Sequence, residues 1–177
     1  MIVDDEPEIV GFITELLTHR GYEVRGLSDS REAFGVFQSF HPDLCILDFR
    51  MPFVSGSIIL DTVKRADSTV EVIFLTAQDE TSLAVDLMKR GAIDFLLKPV
   101  ELNQLSMSVA RALEHRRLIK ENEAYKLLWK DDWKLREMVS RALNHNYANN
   151  PGAFPAQKLD AYRFPPRPTL KAAPPPP

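Results

Sequence analysis

Cysteine, glycine and long apolar segments are all scarce in this chain of 177 residues. The single cysteine, Cys45, has no partner for an intrachain disulfide and lies within the apolar segment Leu44–Leu47, where a small buried side chain without a redox role is expected. No segment approaches the length of about 18 apolar residues that a transmembrane helix needs, and the N-terminal residues turn acidic at once, unlike a secretory leader. These features predict a cytoplasmic protein without a membrane partner.

A strong excess of charge of one sign is also missing. The formal net charge is −3, and the lysines and arginines are scattered along the chain. The densest basic cluster, His115–Arg117 with Lys120, is short and is typical of the solvated face of a helix. Direct contact with nucleic acid is therefore not expected.

Proline and glycine are unevenly placed, which divides the chain. Nine of the 13 prolines lie at or beyond Pro151, and six of the seven glycines lie at or before Gly91. Between Leu113 and Pro151 neither residue interrupts the chain, which favours a helical extension, although its apolar positions keep no strict heptad spacing. We predict a globular domain over 1–116, a helical linker over 117–147 and a disordered proline-rich tail over 148–177.

Short apolar segments alternate with amphipathic ones throughout the first part of the chain, a pattern typical of βα units around a parallel sheet. The segments Leu44–Leu47 and Val72–Leu75 are continuously apolar, as expected of central strands that helices cover on both faces. The predicted fold is therefore α/β, with a doubly wound five-stranded parallel sheet. The predicted strands are Met1–Asp4, Tyr22–Gly26, Leu44–Leu47, Val70–Leu75 and Ile93–Leu97; the predicted helices are one from Pro7 to before Gly21, then Arg31–Phe40, Ser57–Ala66, Thr81–Arg90 and Leu102–His115.

Polar side chains follow four of these strands. Ligands of such sheets bind beyond the carboxyl ends of the strands, so these side chains are expected to meet at one edge. Each has an ordinary alternative, since an Asp at a strand end can cap the next helix and a Lys can face solvent. Their common location favours a functional site made of Asp4, Asp5, Asp48, Thr76 and Lys98.

Three carboxylates at one site would repel one another unless a cation neutralised them. Oxygen ligands suit Mg²⁺ or Mn²⁺, so a divalent metal is expected. A carboxylate can also attack phosphorus and form an aspartyl phosphate when the incoming charge is balanced. The metal, Lys98 and the Thr76 hydroxyl would supply that balance.

The motifs resemble those of response regulator receiver domains of two-component systems. The similarity covers residues 1 to about 115, and the combination is specific because four blocks occur in the family's order and near its spacings. The resemblance implies a flavodoxin-like sheet of order 2-1-3-4-5 with a C-terminal helical extension. The blocks are Asp4-Asp5-Glu6, Asp48-x-x-Met51-Pro52 with Gly56, Thr76-Ala77 and Lys98-Pro99.

The same resemblance implies a role for each matching residue. Asp48 would accept the phosphoryl group and bind the metal with Asp5 and the backbone carbonyl of Arg50, while Asp4 would assist through metal-bound water. Thr76 and Lys98 would contact the phosphoryl oxygens, and Thr76 with Phe95 would form the conformational switch. Pro99 would follow a cis peptide bond.

Within the family, the segments around Gly91–Pro99 and Arg111–Leu118 are most similar to receivers of the nitrogen-regulator type with a linker helix. The implied donor is a sensor histidine kinase or a phosphotransfer protein, and the implied assembly is a homodimer. The resemblance implies a signalling domain with slow self-dephosphorylation rather than an enzyme. No output domain is recognisable, so the output would act through a partner, or the chain would be a fragment of a longer transcriptional or enzymatic regulator.

Three other interpretations fit the sequence less well. An aspartate-nucleophile phosphatase typically has a second Asp two residues after the first, where this chain has Arg50. A flavodoxin-like binder of a phosphate-bearing cofactor would not place Asp4-Asp5-Glu6 after its first strand, because these acids repel phosphate. A degenerate receiver would lack an acceptor, an acid or the Lys, and all are present.

Overall fold

The computed structural model has five strands and five α-helices, and it describes residues 1–76 and 81–149, with some side chains of α4 and of the second half of α5 outside that description. The strands are β1 (Ile2–Val3), β2 (Gly26–Leu27), β3 (Leu44–Asp48), β4 (Glu71–Thr76) and β5 (Asp94–Leu97). The helices are α1 (Pro7–His19), α2 (Ala33–Phe40), α3 (Gly56–Ala66), α4 (Thr81–Lys89) and α5 (Leu102–Asn149), with a short 3₁₀ helix at Ser30–Glu32.

The strands form one parallel sheet in the order β2-β1-β3-β4-β5. Every residue of β3 and β4 is buried. Both observations confirm the sequence-based fold, including the central position of the two continuously apolar strands. The short interior strand β1 is buried as well, whereas the edge strands β2 and β5 each include exposed or half-buried residues, because fewer neighbours cover them.

The core has two layers, one on each face of the sheet. Alternate strand residues point to opposite faces, so Leu47 and Phe74 join one layer while Ile46 and Ile73 join the other. Helices α2, α3 and α4 supply the first layer, and α1 and α5 supply the second through Ile13 and other apolar residues. This double covering leaves the carboxyl ends of the strands, where loops leave the sheet, as the open edge.

The prediction for β2 was wrong in its position. The expected strand was Tyr22–Gly26, but the ladder contains Gly26–Leu27, paired with Ile2 and Val3 of β1. Because β2 is an edge strand with β1 as its neighbour, only the residues opposite the two-residue β1 gain ladder partners. The amide of Ile2 reaches the carbonyl of Arg25 at 2.7 Å, and the ladder starts there.

The chain divides into two units, Met1–Asn122 and Glu123–Pro177. The described part of the second unit, up to Asn149, is helical and belongs to α5, in keeping with the expected helical extension. The predicted limits at 116 and 147 stay predictions. Of the predicted tail, residues 150–177 lie outside the described residues, and within the described ranges no helix is both long and apolar enough to cross a membrane.

Candidate functional site

The ends of four strands bring the candidate residues to one edge of the sheet. Asp4 follows β1, Asp48 ends β3, Thr76 ends β4 and Lys98 follows β5. The parallel ladder places Asp48 opposite Leu75 and places Thr76 opposite Leu97, the residue before Lys98. The expected convergence at the carboxyl ends is therefore present.

Asp48 is held by the backbone on both sides. Phe49, next to it, donates a hydrogen bond to the Leu75 carbonyl at 3.1 Å, which extends the β3–β4 pairing past the strand end. Gly56 begins α3 and its amide donates to the Phe49 carbonyl at 3.3 Å, which turns the chain back over the site. The Asp48 side chain is only 8% exposed, because the sheet edge and this loop enclose it.

Lys98 is positioned by a tight turn after β5. Its backbone amide donates to the Thr76 carbonyl at 2.9 Å, so the turn stays attached to β4. The bond between Lys98 and Pro99 is cis, as the sequence predicts for this motif. A cis peptide bond is much less unfavourable before proline than before any other residue, and cis prolines are typical of tight turns.

The Lys98 ammonium lies among three carboxylates. Its Nζ is 2.9 Å from Asp4 Oδ2, 2.9 Å from Asp48 Oδ1 and 2.8 Å from Glu6 Oε1. Asp4 is fully buried, and its other oxygen accepts a hydrogen bond from the Glu6 amide at 3.0 Å. Lys98 therefore ties the loops after β1, β3 and β5 into one cluster.

Burial raises the pKa of Asp48 above its ordinary value, and the nearby charges of Asp4 and Asp5 act in the same direction, while Lys98 opposes them. Burial alone would lower the pKa of Lys98, but Glu6, Asp4 and Asp48 together raise it, so Lys98 is a fixed cation at neutral pH. The site contains more carboxylates than the single ammonium can neutralise.

The other predicted site residues lie nearby in different settings. Asp5 is exposed beside the buried Asp4, and Arg50 is exposed in the loop after Asp48. Thr76 is buried at the end of β4, and both Arg50 and Thr76 make interactions of their own. Phe95 is half-buried in β5 and packs against the core layer that contains Phe74. The two residues lie opposite each other in the β4–β5 ladder. Ala77, which follows Thr76 in the motif, lies outside the described residues.

The donor set suits a small divalent cation, although no three His, Cys, Asp or Glu side chains within the described ranges already converge on one metal position. Asp4 and Asp48 instead both contact the Lys98 ammonium. The buried Asp4 Oδ2 has the Lys98 ammonium as its partner at 2.9 Å. Carboxylate oxygens that outnumber the single ammonium are a fitting ligand environment for Mg²⁺.

Glu6 is the residue of this cluster that sequence reasoning did not assign. It forms part of the acidic motif, yet no role was predicted for it. The contact joins residues 92 positions apart, so only the folded chain brings them together. The sequence feature that could have indicated a role for Glu6 is its position as a third acidic residue directly after Asp4 and Asp5.

Comparisons with known proteins agree with this geometry. The family model for the response regulator receiver domain matches residues 1–110. The regulatory protein AtoC of Escherichia coli is 32% identical over 121 residues, covering 68% of this chain and 26% of AtoC. The nitrogen assimilation regulatory protein NtrX of Azorhizobium caulinodans is 35% identical over 130 residues, covering 72% of this chain and 29% of NtrX.

Solved structures show the same relationship. A response regulator receiver domain protein from Clostridium thermocellum has a TM-score of 0.63 and 34% identity, with 67% of this chain and 95% of that chain covered. The receiver domain of NtrX from Brucella abortus has a TM-score of 0.61 and 30% identity, with 64% and 96% covered. The chain thus spans nearly the whole of isolated receivers but only about a quarter of the longer regulators AtoC and NtrX.

Proposed function

Because this chain belongs to the response regulator receiver family, we propose that Asp48 is its phosphoacceptor and that a sensor histidine kinase or a phosphotransfer protein is the donor. The observation that best supports this role is that the buried Asp48 carboxylate lies 2.9 Å from the Lys98 ammonium, at the carboxyl edge of the sheet. The domain then acts as a signalling module that holds the phosphoryl group rather than as an enzyme that turns over a separate substrate.

The reaction follows from the residues present. An Asp48 carboxylate oxygen attacks phosphorus of a phosphohistidine, a new O–P bond forms, and the N–P bond breaks with its electron pair left on the imidazole, which takes up a proton. The phosphoryl oxygens develop charge beside Lys98, whose fixed positive charge stabilises them. Thr76, which is buried at the end of the adjacent strand, would offer its hydroxyl to the same oxygens.

Asp5, Asp48 and the Arg50 carbonyl would hold a Mg²⁺ or Mn²⁺ ion, with Asp4 assisting, and the ion would neutralise the carboxylates and the incoming phosphoryl charge. A metal that binds the folded chain stabilises it by about 1.4 kcal/mol at ten times its Kd. Asp5→Asn should abolish this Mg²⁺-dependent rise in melting temperature, while Asp29→Asn, which removes a half-buried acid of a different loop, should retain it. Equal stabilisation of both variants would reject Asp5 as a ligand.

The direct test uses acetyl phosphate and Mg²⁺, followed by measurement of intact mass. We expect the wild-type chain to gain one phosphoryl group and Asp48→Asn to gain none. The addition should also be lost in EDTA. A wild-type chain that gains no phosphoryl group, or a variant that gains it equally, would overturn the proposal.

We further propose that α5 transmits the conformational response of the receiver to a homodimer partner or to an output segment. The part of α5 that does so is a linker that follows the receiver at about residue 117. Exposed apolar side chains along this helix support an intermolecular role, because such side chains gain by being covered. Light scattering should show a dimer. Leu127→Glu should weaken this dimer, whereas Glu123→Gln, a substitution at an exposed neighbouring residue, should leave it unchanged. A monomer at high concentration, or a dimer insensitive to Leu127→Glu, would contradict this. Within the described part of the linker, the exposed apolar residues include Leu118, Tyr125, Leu127, Leu135 and Met138.

A further inference from the structure

The Lys98 ammonium has no room for another oxygen without a rearrangement. A lysine ammonium has three N–H donors. Three carboxylate oxygens, from Asp4, Glu6 and Asp48, already lie within 2.9 Å of Nζ. A phosphoryl oxygen on Asp48 can therefore reach Lys98 only if one of these contacts is given up.

The three carboxylates differ in how easily they can leave. Asp4 is fully buried, and the Asp48 side chain is 8% exposed and would itself bear the phosphoryl group. Glu6 is 59% exposed, so water can replace Lys98 as its partner at small cost. The contact between Glu6 and Lys98 is therefore the one that water can replace most easily.

The backbone of Glu6 also allows this movement. Glu6 is the residue before α1, and its carbonyl accepts from the amides of Ile9 and Val10 while its own amide donates to Asp4. Its side chain makes no capping hydrogen bond to the helix. The carboxylate can swing away from Lys98 while the helix start and the Asp4 contact stay in place.

From these relationships we infer that Glu6 is a positioning residue that occupies Lys98 in the unphosphorylated state and is displaced when Asp48 acquires a phosphoryl group. This inference rests on the proposed function of Asp48. Glu6 then competes with the phosphoryl group for the ammonium. The stronger the contact between Glu6 and Lys98, the less the phosphorylated state gains from its own contact with Lys98.

The test compares Glu6→Gln with Glu8→Gln in the full chain at saturating Mg²⁺. Glu8 is an exposed acid in the first turn of α1, so its substitution removes the same charge two residues away. Beryllofluoride, a mimic of the phosphoryl group, is titrated and its bound fraction is measured by ¹⁹F NMR. Glu6→Gln should bind about two- to fivefold more tightly than the wild type, the range expected for one partly exposed ion pair, and Glu8→Gln should match the wild type.

A second measurement separates competition from a purely structural role. In EDTA, without the mimic, Glu6→Gln should unfold at a slightly lower urea concentration than the wild type, because it loses a Lys98 contact. Weaker stability together with tighter mimic binding supports the inference, whereas loss of both shows that Glu6 merely supports the fold and overturns it. Unchanged binding in Glu6→Gln, or equal tightening in Glu8→Gln, also overturns it. A wild-type chain that binds no beryllofluoride would instead reject the phosphoacceptor proposal.

Discussion

Gly56 packs directly against the backbone of Asp48: a methyl group placed on Gly56 would lie 2.2 Å from the Asp48 carbonyl oxygen. It would also lie 2.9 Å from the ring of Phe74, which is fully buried. The start of α3 and the end of β3 can therefore approach this closely only because residue 56 has no side chain.

Gly56→Ala is expected to lower the free energy of unfolding by about 2 kcal/mol, because backbone and a buried ring must move to admit the methyl group. Urea unfolding followed by circular dichroism measures this. The matched control is Gly11→Ala, since Gly11 lies within α1 with nothing within 4 Å of its added methyl group. Gly11→Ala should stabilise the chain by about 0.5–1 kcal/mol, and similar effects of the two substitutions would contradict the packing described for Gly56.

The buried charge of Asp48 should cost stability at neutral pH. Burial raises the pKa of this carboxyl above its ordinary value of 3.8, so the folded chain favours the protonated form. The stabilisation is thus present below pH 3.8 and is lost as pH rises through the folded-state pKa. Asp48→Asn should therefore be more stable than the wild type at neutral pH in EDTA, by about 1 kcal/mol, the common size of single-residue effects.

The pH dependence gives this prediction its control. Urea midpoints of Asp48→Asn and the wild type should converge as pH falls below 3.8, where Asp48 is protonated in both states. Lys98 keeps Asp4 and Glu6 as partners in the variant, so its own charge stays balanced. A variant that is less stable at neutral pH would show that the Lys98 pair outweighs the burial of Asp48.

Cys45 should be unreactive in the folded chain. Burial raises the pKa of its thiol to about 11, and the residue is fully buried in β3. Since the thiolate is the reactive form, iodoacetamide at about pH 8 should label the native chain far more slowly than the chain in concentrated guanidinium chloride. Mass spectrometry measures both rates. Equally fast labelling of native and unfolded protein would contradict the burial of this strand.

The fold and most of the site were predictable because they depend on local patterns. Continuous apolar segments identify β3 and β4 as central, and polar residues at strand ends mark the edge where Asp4, Asp48 and Lys98 meet. The cis bond before Pro99 was expected from the Lys-Pro motif. Each of these signals lies within a few residues of the feature that it predicts.

Features that depend on distant neighbours were missed. The position of β2 is set by which residues face the short β1, and the segment Tyr22–Val24 carries a strand-like pattern without a ladder partner in β1. The contact between Glu6 and Lys98 arises because two loops meet across the sheet edge, and nothing in either local sequence specifies the distance between the side chains. Pairing partners and side-chain approach are properties of the assembled sheet.

The most direct test of the central claim identifies the residue that carries the phosphoryl group. The chain is treated with acetyl phosphate and Mg²⁺, the acyl phosphate is reduced with borohydride, and the digested peptides are sequenced by mass spectrometry. Reduction converts an aspartyl phosphate to homoserine, so we predict homoserine at position 48, dependent on both reagents and absent from Asp48→Asn. Homoserine at Asp4 or Asp5 instead of position 48, or none at all, would contradict the account.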